Sequence, residues 1–204
     1  MSHSFALLVP VKTLALAKSR LAISVPGDRE PLMRAFALDA IAAALHSPAV
    51  AEVLVVTDDP GFEVDGTRRL PDEGEGDLNR ALHHAALRVR LDAPDTAVAA
   101  MCADLPSLRT DDLTDALAAG MTPRWFVADA DGTGTTLLAA APGIDLDPHF
   151  GVGSAHRHEE SGAAPVRAPL ASLRRDVDTE DDLAAARDLG VGKHTSAALG
   201  APRA

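Results

Sequence analysis

The chain has 204 residues, of which 47% are hydrophobic and 24% charged, and its formal net charge is −11. This profile predicts one globular domain with a full core, and the acidic balance with 3% aromatic residues argues against a nucleic-acid-binding protein. The single cysteine excludes an internal disulfide, and no apolar run reaches the roughly 20 residues of a membrane span. Since the N-terminus also lacks the basic start of a signal peptide, we expect a cytoplasmic protein without a membrane partner.

Strand-like and helix-like segments alternate along the chain. Apolar runs predict strands at 5–11 and 51–57, a strand ending near Cys102, and a strand at 125–130; helical periodicity and caps predict helices at 31–47 and 77–91 and after Thr110 and Thr179. This alternation predicts an α/β fold, in which a mostly parallel sheet carries helices on both faces. In such sheets the functional side chains follow the carboxyl ends of the strands. We assign 1–192 to one domain and 193–204 to a flexible C-terminal tail.

A basic segment follows the first predicted strand. The stretch VPVKTLALAKSRLA contains Lys12, Lys18 and Arg20 in an otherwise acidic chain. Neither the GxxxxGK[ST] pattern of a Walker loop nor the GxGxxG pattern of a dinucleotide-binding turn is present. The segment therefore suits side-chain neutralisation of nucleotide phosphates, and a solvated surface loop is the alternative.

Acidic residues come at two further places. Asp104 lies in CADLPSL, directly after a predicted strand, and Asp176 and Asp178 lie in RRDVDTEDDL. In an extended segment, residues two apart point to the same side, so the last two carboxylates would face one cation together. Mg²⁺ takes one or two carboxylates plus substrate phosphates. Helix capping and acidic clustering at a helix start are the alternatives.

Two segments combine glycines with hydroxyl side chains. DGTGTTLL contains Thr135, and HFGVGSAHRH contains Gly151, Ser154 and Arg157. Exposed backbone N–H groups and hydroxyls of this kind bind anions, and arginine adds a two-pronged donor. A turn that satisfies its own backbone is the alternative for the first segment, and a zinc site from the histidines is the alternative for the second. Cations, acids and anion sites without an activated nucleophile suit phosphoryl or nucleotidyl transfer.

In this order, VPVKTLALAKSRLA, CADLPSL, DGTGTTLL, HFGVGSAHRH and DVDTEDDLAAA resemble the guanylyltransferases of coenzyme F-420 biosynthesis, which are relatives of the molybdenum-cofactor nucleotidyltransferases. The resemblance runs from about Phe5 to Gly192. It implies a single-domain, GT-A-like nucleotidyltransferase fold. It also implies transfer of GMP from GTP to a small phosphorylated acid, with release of pyrophosphate. The alanine- and arginine-rich composition is similar to that of the actinobacterial members of this family, and the resemblance to them implies phosphoenolpyruvate as that acid.

The resemblance also implies roles for individual residues. Asp104, Asp176 and Asp178 would hold Mg²⁺. Thr135, Gly151 and Ser154 would bind the acceptor acid. Lys12, Lys18 and Arg20 would face the GTP phosphates, with Lys18 counted among the catalytic residues, and Asn79 of DLNRAL would lie near the guanine. A downstream deazaflavin transferase would be the functional partner.

Other readings stay open on sequence alone. The acceptor could be 2-phospho-L-lactate or 3-phospho-D-glycerate, because these acids carry similar charge and differ mainly in shape. A nucleotide-sugar glycosyltransferase would also use a DxD motif with a divalent metal, but would place it after a central strand. A catalytically silent nucleotide-binding module would tolerate loss of an acid, whereas all three acids are present here.

Overall fold

The computed structural model describes residues 4–11, 29–120 and 122–200. The strands are β1 (Phe5–Pro10), β2 (Val50–Val56), β3 (Thr67–Leu70), β4 (Ala97–Met101), β5 (Arg124–Ala128), β6 (Thr135–Ala140) and β7 (Ala164–Pro165). The helices are α1 (Arg29–Leu45), α2 (Leu78–Asp92), α3 (Thr110–Ala118), α4 (Ser154–Glu160), α5 (Ala171–Arg174), α6 (Glu180–Leu189) and α7 (Lys193–Gly200). None of the helices in these ranges is long and apolar enough to cross a bilayer.

One mixed sheet organises the described residues. Its strand order is β3-β2-β1-β4-β6-β5-β7. Neighbouring strands are parallel from β3 to β4, while β6 runs antiparallel to both β4 and β5. Because β5 therefore points the same way as β4, the carboxyl ends of β1, β2, β4 and β5 and the start of β6 share one edge. We call this edge the carboxyl edge.

Side chains alternate across the sheet and bury two apolar layers. On one face, Leu7 and Val9 of β1 join residues of α1, α3 and α5. On the other face, Ala6 and Leu8 join residues of α2 and α4. The unbroken apolar runs of β1 and β4 thus reflect strands covered on both sides. The predicted α/β fold, with a mostly parallel sheet and helices on both faces, is confirmed.

Two local predictions at helix starts have different outcomes. Thr179 and Asp182 form the predicted capping box, in which each side chain accepts a hydrogen bond from the other residue's backbone N–H. Thr110, predicted as an N-cap, is instead the first residue of α3, and Arg109 occupies the N-cap position. The Thr110 hydroxyl donates to the carbonyl oxygen of Ala43 on α1 at 3.0 Å. A tertiary contact therefore takes the hydroxyl that the sequence pattern assigned to capping.

Residues 193–200 of the segment predicted as a flexible tail are helical, and residues 201–204 lie outside the described residues. Residues 193–200 form α7, whose Thr195 is fully buried. The buried carboxylate of Asp39 on α1 accepts hydrogen bonds from the backbone N–H groups of His194 and Thr195, at 3.0 and 2.8 Å. A carboxylate from a distant helix thus caps α7 and satisfies donors that a helix start leaves unpaired.

Candidate active site

Two acidic segments meet at the carboxyl edge. The backbone N–H of Val177 donates a hydrogen bond to the carbonyl oxygen of Asp104, just beyond β4, at 3.1 Å. The Val177 side chain is fully buried, while Asp176 is half-buried and Asp178 is exposed. This alternation matches the prediction that both aspartates of the DVD segment face the side opposite Val177. The structure therefore brings together the three acids that the sequence singled out.

Burial and neighbouring carboxylates raise the pKa of two of these acids. Burial first, and then the charge of Asp178, raise the pKa of Asp104 to about 6. Burial first, and then the charges of Asp104, Asp129 and Asp178, raise the pKa of Asp176 to about 7. Within the described part of the chain, the buried Oδ1 of Asp104 has no hydrogen-bond partner. Buried, mutually repelling carboxylates with an unpaired oxygen are an environment that a cation would stabilise.

The acids do not form a closed coordination sphere. Within residues 4–11, 29–120 and 122–200, no group of three or more histidine, cysteine, aspartate or glutamate side chains is arranged to hold a metal ion. This differs from a structural zinc centre, in which the protein supplies all four ligands. Mg²⁺ makes a smaller demand, because water and substrate phosphates complete its coordination. The carboxylate donors and the unpaired Asp104 oxygen therefore fit a Mg²⁺ ion that is coordinated by oxygens of both the protein and the substrate.

Asp129 joins this group, although the sequence analysis did not single it out. It follows β5 at the carboxyl edge, and its Oδ1 and Oδ2 accept hydrogen bonds from the backbone N–H groups of Thr133 and Gly134, at 2.8 and 2.7 Å. A Cβ on Gly134 would lie 2.3 Å from the Asp129 carboxylate. The turn over 129–134 is therefore closed by its own aspartate, and its bare glycine backbone allows that closure. An aspartate directly before a Gly-rich turn was the available sequence signal.

Thr135 lies next to the acidic segment. The backbone N–H of Cys102 donates to the carbonyl oxygen of Thr136 at 2.9 Å, and the Cys102 thiol lies 3.4 Å from the Thr135 carbonyl oxygen. Thr135 is 6% exposed, and its Oγ1 lies 2.9 Å from Nδ1 of His158. The start of β6 is thus held against the end of β4, two residues before Asp104.

The segment 149–154, which we call the FGVGS loop, lies against the same turn. Gly151 and Gly153 have positive φ angles of 115° and 71°, and Gly153 is the N-cap of α4. Ser154 is buried, and the backbone N–H of the next residue, Ala155, donates to the carbonyl oxygen of Thr133 at 3.1 Å. Two predicted acceptor-binding residues, Gly151 and Ser154, therefore lie beside the start of α4, which is hydrogen-bonded to the turn that precedes Thr135.

Arg157 and the histidines have other contacts than the sequence suggested. The guanidinium of Arg157 donates to the carbonyl oxygens of His149 and Phe150, at 2.9 and 3.3 Å, so it stabilises the backbone of the FGVGS loop. Both ring nitrogens of His158 are hydrogen-bonded within the protein, and His156 is exposed, with Nε2 3.3 Å from a carboxylate oxygen of Glu160. His158 therefore has no ring nitrogen left for zinc, and the histidines at 149–158 do not form a metal-holding group among the described residues.

Of the four predicted nucleotide-binding residues, only Asn79 lies within the described residues. Lys12, Lys18 and Arg20 lie outside the described residues. Asn79, on the first turn of α2, exchanges two hydrogen bonds with the backbone of Phe150, at 2.7 and 3.1 Å. Its carboxamide therefore supports the FGVGS loop, and a contact with guanine stays a prediction.

Hydrogen bonds connect all these segments in one series. The DVD segment is bonded to Asp104, β4 to the start of β6, the turn at 129–134 to α4, and the FGVGS loop to α2. The acidic side chains thus lie beside a set of hydrogen-bond donors, made of hydroxyl groups and glycine N–H groups. This pairing can bind a metal-bound polyphosphate and a second small anion side by side.

Nearly the whole chain is similar in sequence to known proteins. The family model described as "Guanylyl transferase CofC like" matches residues 5–199. A phosphoenolpyruvate guanylyltransferase from Streptomyces scabiei is 53% identical over 203 residues, covering 94% of each chain. One from Geodermatophilus obscurus is 49% identical over 209 residues, covering 97% of this chain and 95% of its own.

Solved structures share the fold at lower identity. A 4-diphosphocytidyl-2C-methyl-D-erythritol synthase has a TM-score of 0.58 at 14% identity, covering 93% of this chain and 99% of its own. A nucleotidyl transferase from Methanothermobacter has a TM-score of 0.53 at 18% identity, covering 91% of this chain and 96% of its own. The fold is that of the nucleotidyltransferases, and the chain belongs to the CofC-like guanylyltransferase family of enzymes.

Proposed function

We propose that this enzyme transfers GMP from GTP to phosphoenolpyruvate, giving enolpyruvyl-diphospho-5'-guanosine and pyrophosphate. The observation that carries the proposal is near-full-length identity of about one half to relatives named phosphoenolpyruvate guanylyltransferase. The series of hydrogen bonds from the DVD segment to the FGVGS loop supports it, because the segments around Asp104, Thr135, Ser154 and Asp176 that resemble the family meet at one edge of the sheet.

Charge decides how two anionic substrates can meet here. Asp104, Asp176 and Asp178 would repel phosphates, so their role requires a cation between protein and substrate. In this proposal they hold Mg²⁺, which when bound neutralises phosphate charge and stabilises the attacking and leaving oxygens. Lys12, Lys18 and Arg20 supply further positive charge for the GTP phosphates.

The acceptor site consists of Thr135, Gly151 and Ser154. The hydroxyls of Thr135 and Ser154 and the backbone N–H groups next to Gly151 donate hydrogen bonds to the anionic oxygens of the acid. Because these donors are neutral, they orient the acceptor without competing for the cation. Burial of Thr135 and Ser154 excludes water from their side of the site.

The reaction is one displacement at phosphorus. A phosphate oxygen of the acceptor forms a bond to the α-phosphorus of GTP, and the bond from that phosphorus to the bridging oxygen of the β-phosphate breaks. The electron pair leaves with pyrophosphate. The acceptor phosphate is ionised at pH 7, so no general base is required, and catalysis rests on positioning and charge neutralisation.

The product contains a phosphoanhydride bond between two phosphate esters, so it is an activated compound that a transferase must consume. The proposed setting is coenzyme F-420 biosynthesis in the cytoplasm, with a deazaflavin transferase as the next enzyme. These assignments follow the family resemblance that the sequence motifs carry.

The test offers GTP and Mg²⁺ with phosphoenolpyruvate, 2-phospho-L-lactate or 3-phospho-D-glycerate in parallel. Pyrophosphate release and the mass of the product are measured, with the deazaflavin transferase present so that a labile product is captured. Clear preference for phosphoenolpyruvate is expected. Preference for another acid would overturn the acceptor assignment, and no turnover with any acid would overturn the reaction.

A further inference from the structure

His158 is a fully buried histidine whose two ring nitrogens both have partners. The backbone N–H of His149 donates to Nε2 at 2.9 Å, and Nδ1 lies 2.9 Å from Oγ1 of Thr135. A backbone amide is only a donor, so Nε2 must be unprotonated. The ring proton therefore resides on Nδ1, and the ring donates to Thr135.

This tautomer fixes the direction of the Thr135 hydroxyl. Its oxygen accepts from the ring, so its own hydrogen must be donated elsewhere. In the described part of the chain, this hydroxyl makes no other hydrogen bond. A hydroxyl whose oxygen is already occupied by a donor and whose hydrogen is unclaimed is prepared to donate to an anion.

The surroundings of His158 keep its ring neutral. Burial, followed by the charges of His149, Arg124 and Arg157, lowers the pKa of His158 to about 4, against a smaller opposing effect of Asp147. Phe126 and Phe150 pack against the ring, with centroids 5.8 and 5.2 Å away. The Nδ1-protonated form therefore persists over the pH range in which acceptor phosphates are ionised.

We propose that His158 is the positioning residue of the acceptor site: its neutral ring orients the Thr135 hydroxyl as a donor to the acceptor acid and ties Thr135 to the FGVGS loop. The inference rests on the proposed function, because Thr135 acts there as an acceptor-binding residue. His158 joins two halves of the site, since Thr135 lies on β6 and His149 opens the loop that carries Gly151 and Ser154.

Two amide variants separate the two contacts of the ring. An asparagine amide reaches the position of Nδ1, whereas a glutamine amide reaches that of Nε2. In H158N the donor to Thr135 is kept, and in H158Q the acceptor for the His149 N–H is kept. We expect H158Q to raise KM for phosphoenolpyruvate roughly 10- to 100-fold, with KM for GTP little changed. H158N, which keeps the donor to Thr135, should raise KM for phosphoenolpyruvate much less.

A double-mutant cycle with Thr135→Val tests the coupling directly. T135V alone should raise the acceptor KM on the same scale, and H158Q should add little in the T135V background, because both changes remove one shared interaction. Fully additive effects, or an equal rise in KM for GTP, would overturn the inference. Should H158Q fail to fold, H158N and the ring measurement described next decide: because the asparagine amide keeps the donor to Thr135, a rise in the acceptor KM of H158N as large as that of T135V would overturn the inference.

A spectroscopic measurement checks the tautomer apart from activity. Ring ¹⁵N chemical shifts of wild-type protein should report protonated Nδ1 and unprotonated Nε2 at His158 at neutral pH. The opposite tautomer would overturn the inference while leaving the proposed function intact. Wild-type protein without turnover of any acceptor would remove the proposed function, and the inference with it.

Discussion

Asn79 and Phe150 are joined by a reciprocal pair of hydrogen bonds across 71 positions of sequence. The side-chain Nδ2 of Asn79 donates to the carbonyl oxygen of Phe150 at 3.1 Å, and the backbone N–H of Phe150 donates to Oδ1 at 2.7 Å. A single carboxamide thus pairs with both backbone groups of one loop residue, as a neighbouring strand would in a sheet. Asp77 caps the same helix through the backbone N–H groups of Asn79 and Arg80, so the helix turn that carries the Asn79 carboxamide is itself fixed by hydrogen bonds.

Substitution of Asn79 by alanine should therefore affect the acceptor more than GTP. Loss of two hydrogen bonds to a partly buried backbone costs about 1–3 kcal/mol, so we expect KM for phosphoenolpyruvate to rise about 5- to 150-fold. The measurement is steady-state kinetics with each substrate varied in turn, and R80A, an exposed neighbour, is the control. If KM for GTP rises and the preference for GTP over ATP falls, Asn79 reads guanine as the sequence suggested.

Asp178 provides the most direct test of the metal role. The substitution Asp178→Asn keeps the shape of the side chain and removes its charge from beside Asp104. By comparison with other removals of a single transition-state contact, we expect kcat to fall on the order of 10²- to 10³-fold. Asp181→Asn, in the exposed first turn of α6, is the matched control. An unchanged rate of pyrophosphate release in D178N would contradict the metal role.

Binding of Mg²⁺ should stabilise the protein more at high pH than at low pH. Asp104 and Asp176 have pKa values of about 6 and 7 in the folded protein, above the ordinary value of 3.8. Between pH 4 and 7 the folded state thus binds more protons than the unfolded state, so the contribution of these groups to the free energy of unfolding falls as pH rises. Above pH 7 both are ionised, and a cation offsets their repulsion.

The comparison of melting temperatures with and without Mg²⁺ checks this sign. We expect the increase in Tm on adding Mg²⁺ to be larger at pH 8 than at pH 5.5, and to shrink in Asp176→Asn. In the absence of metal, D176N should melt higher than wild type at pH 8, because one repelling charge is gone. An Mg²⁺ effect independent of pH would contradict the assignment of the raised pKa values to metal-holding groups.

Local features of the site were predictable, and features that depend on distant partners were not. The capping box of Thr179 and Asp182 spans four residues, so the sequence contains both partners. The role of Asp129 depends on how the following turn folds, and His158 becomes informative only when both neighbours of its ring are known. The alternation of Asp176 and Asp178 about a buried Val177 was predictable because it depends only on an extended backbone.

The same distinction explains α7. The segment 193–200 is rich in small residues and gives little sign of a helix by itself. Its N-terminal N–H groups donate hydrogen bonds to the carboxylate of Asp39, which lies 155 positions earlier than His194. Gly192 allows the approach, because a Cβ there would lie 2.3 Å from Cγ of Asp39. No local pattern reveals such a partner.

The α7 cap predicts a loss of stability when Asp39 is changed. The substitution Asp39→Ala removes both acceptors from the start of α7 and leaves two N–H groups in a buried place, so we expect the free energy of unfolding to fall by about 1–3 kcal/mol. Urea unfolding of D39A against D95A, an exposed turn aspartate, measures the difference.

Gly192→Ala should destabilise to a similar degree because its Cβ would displace the Asp39 carboxylate. KM for both substrates should stay near wild type, since the cap belongs to the packing of α7 on α1. If D39A unfolds at the same urea concentration as D95A, the carboxylate contributes nothing to docking α7, and apolar contacts alone hold that helix.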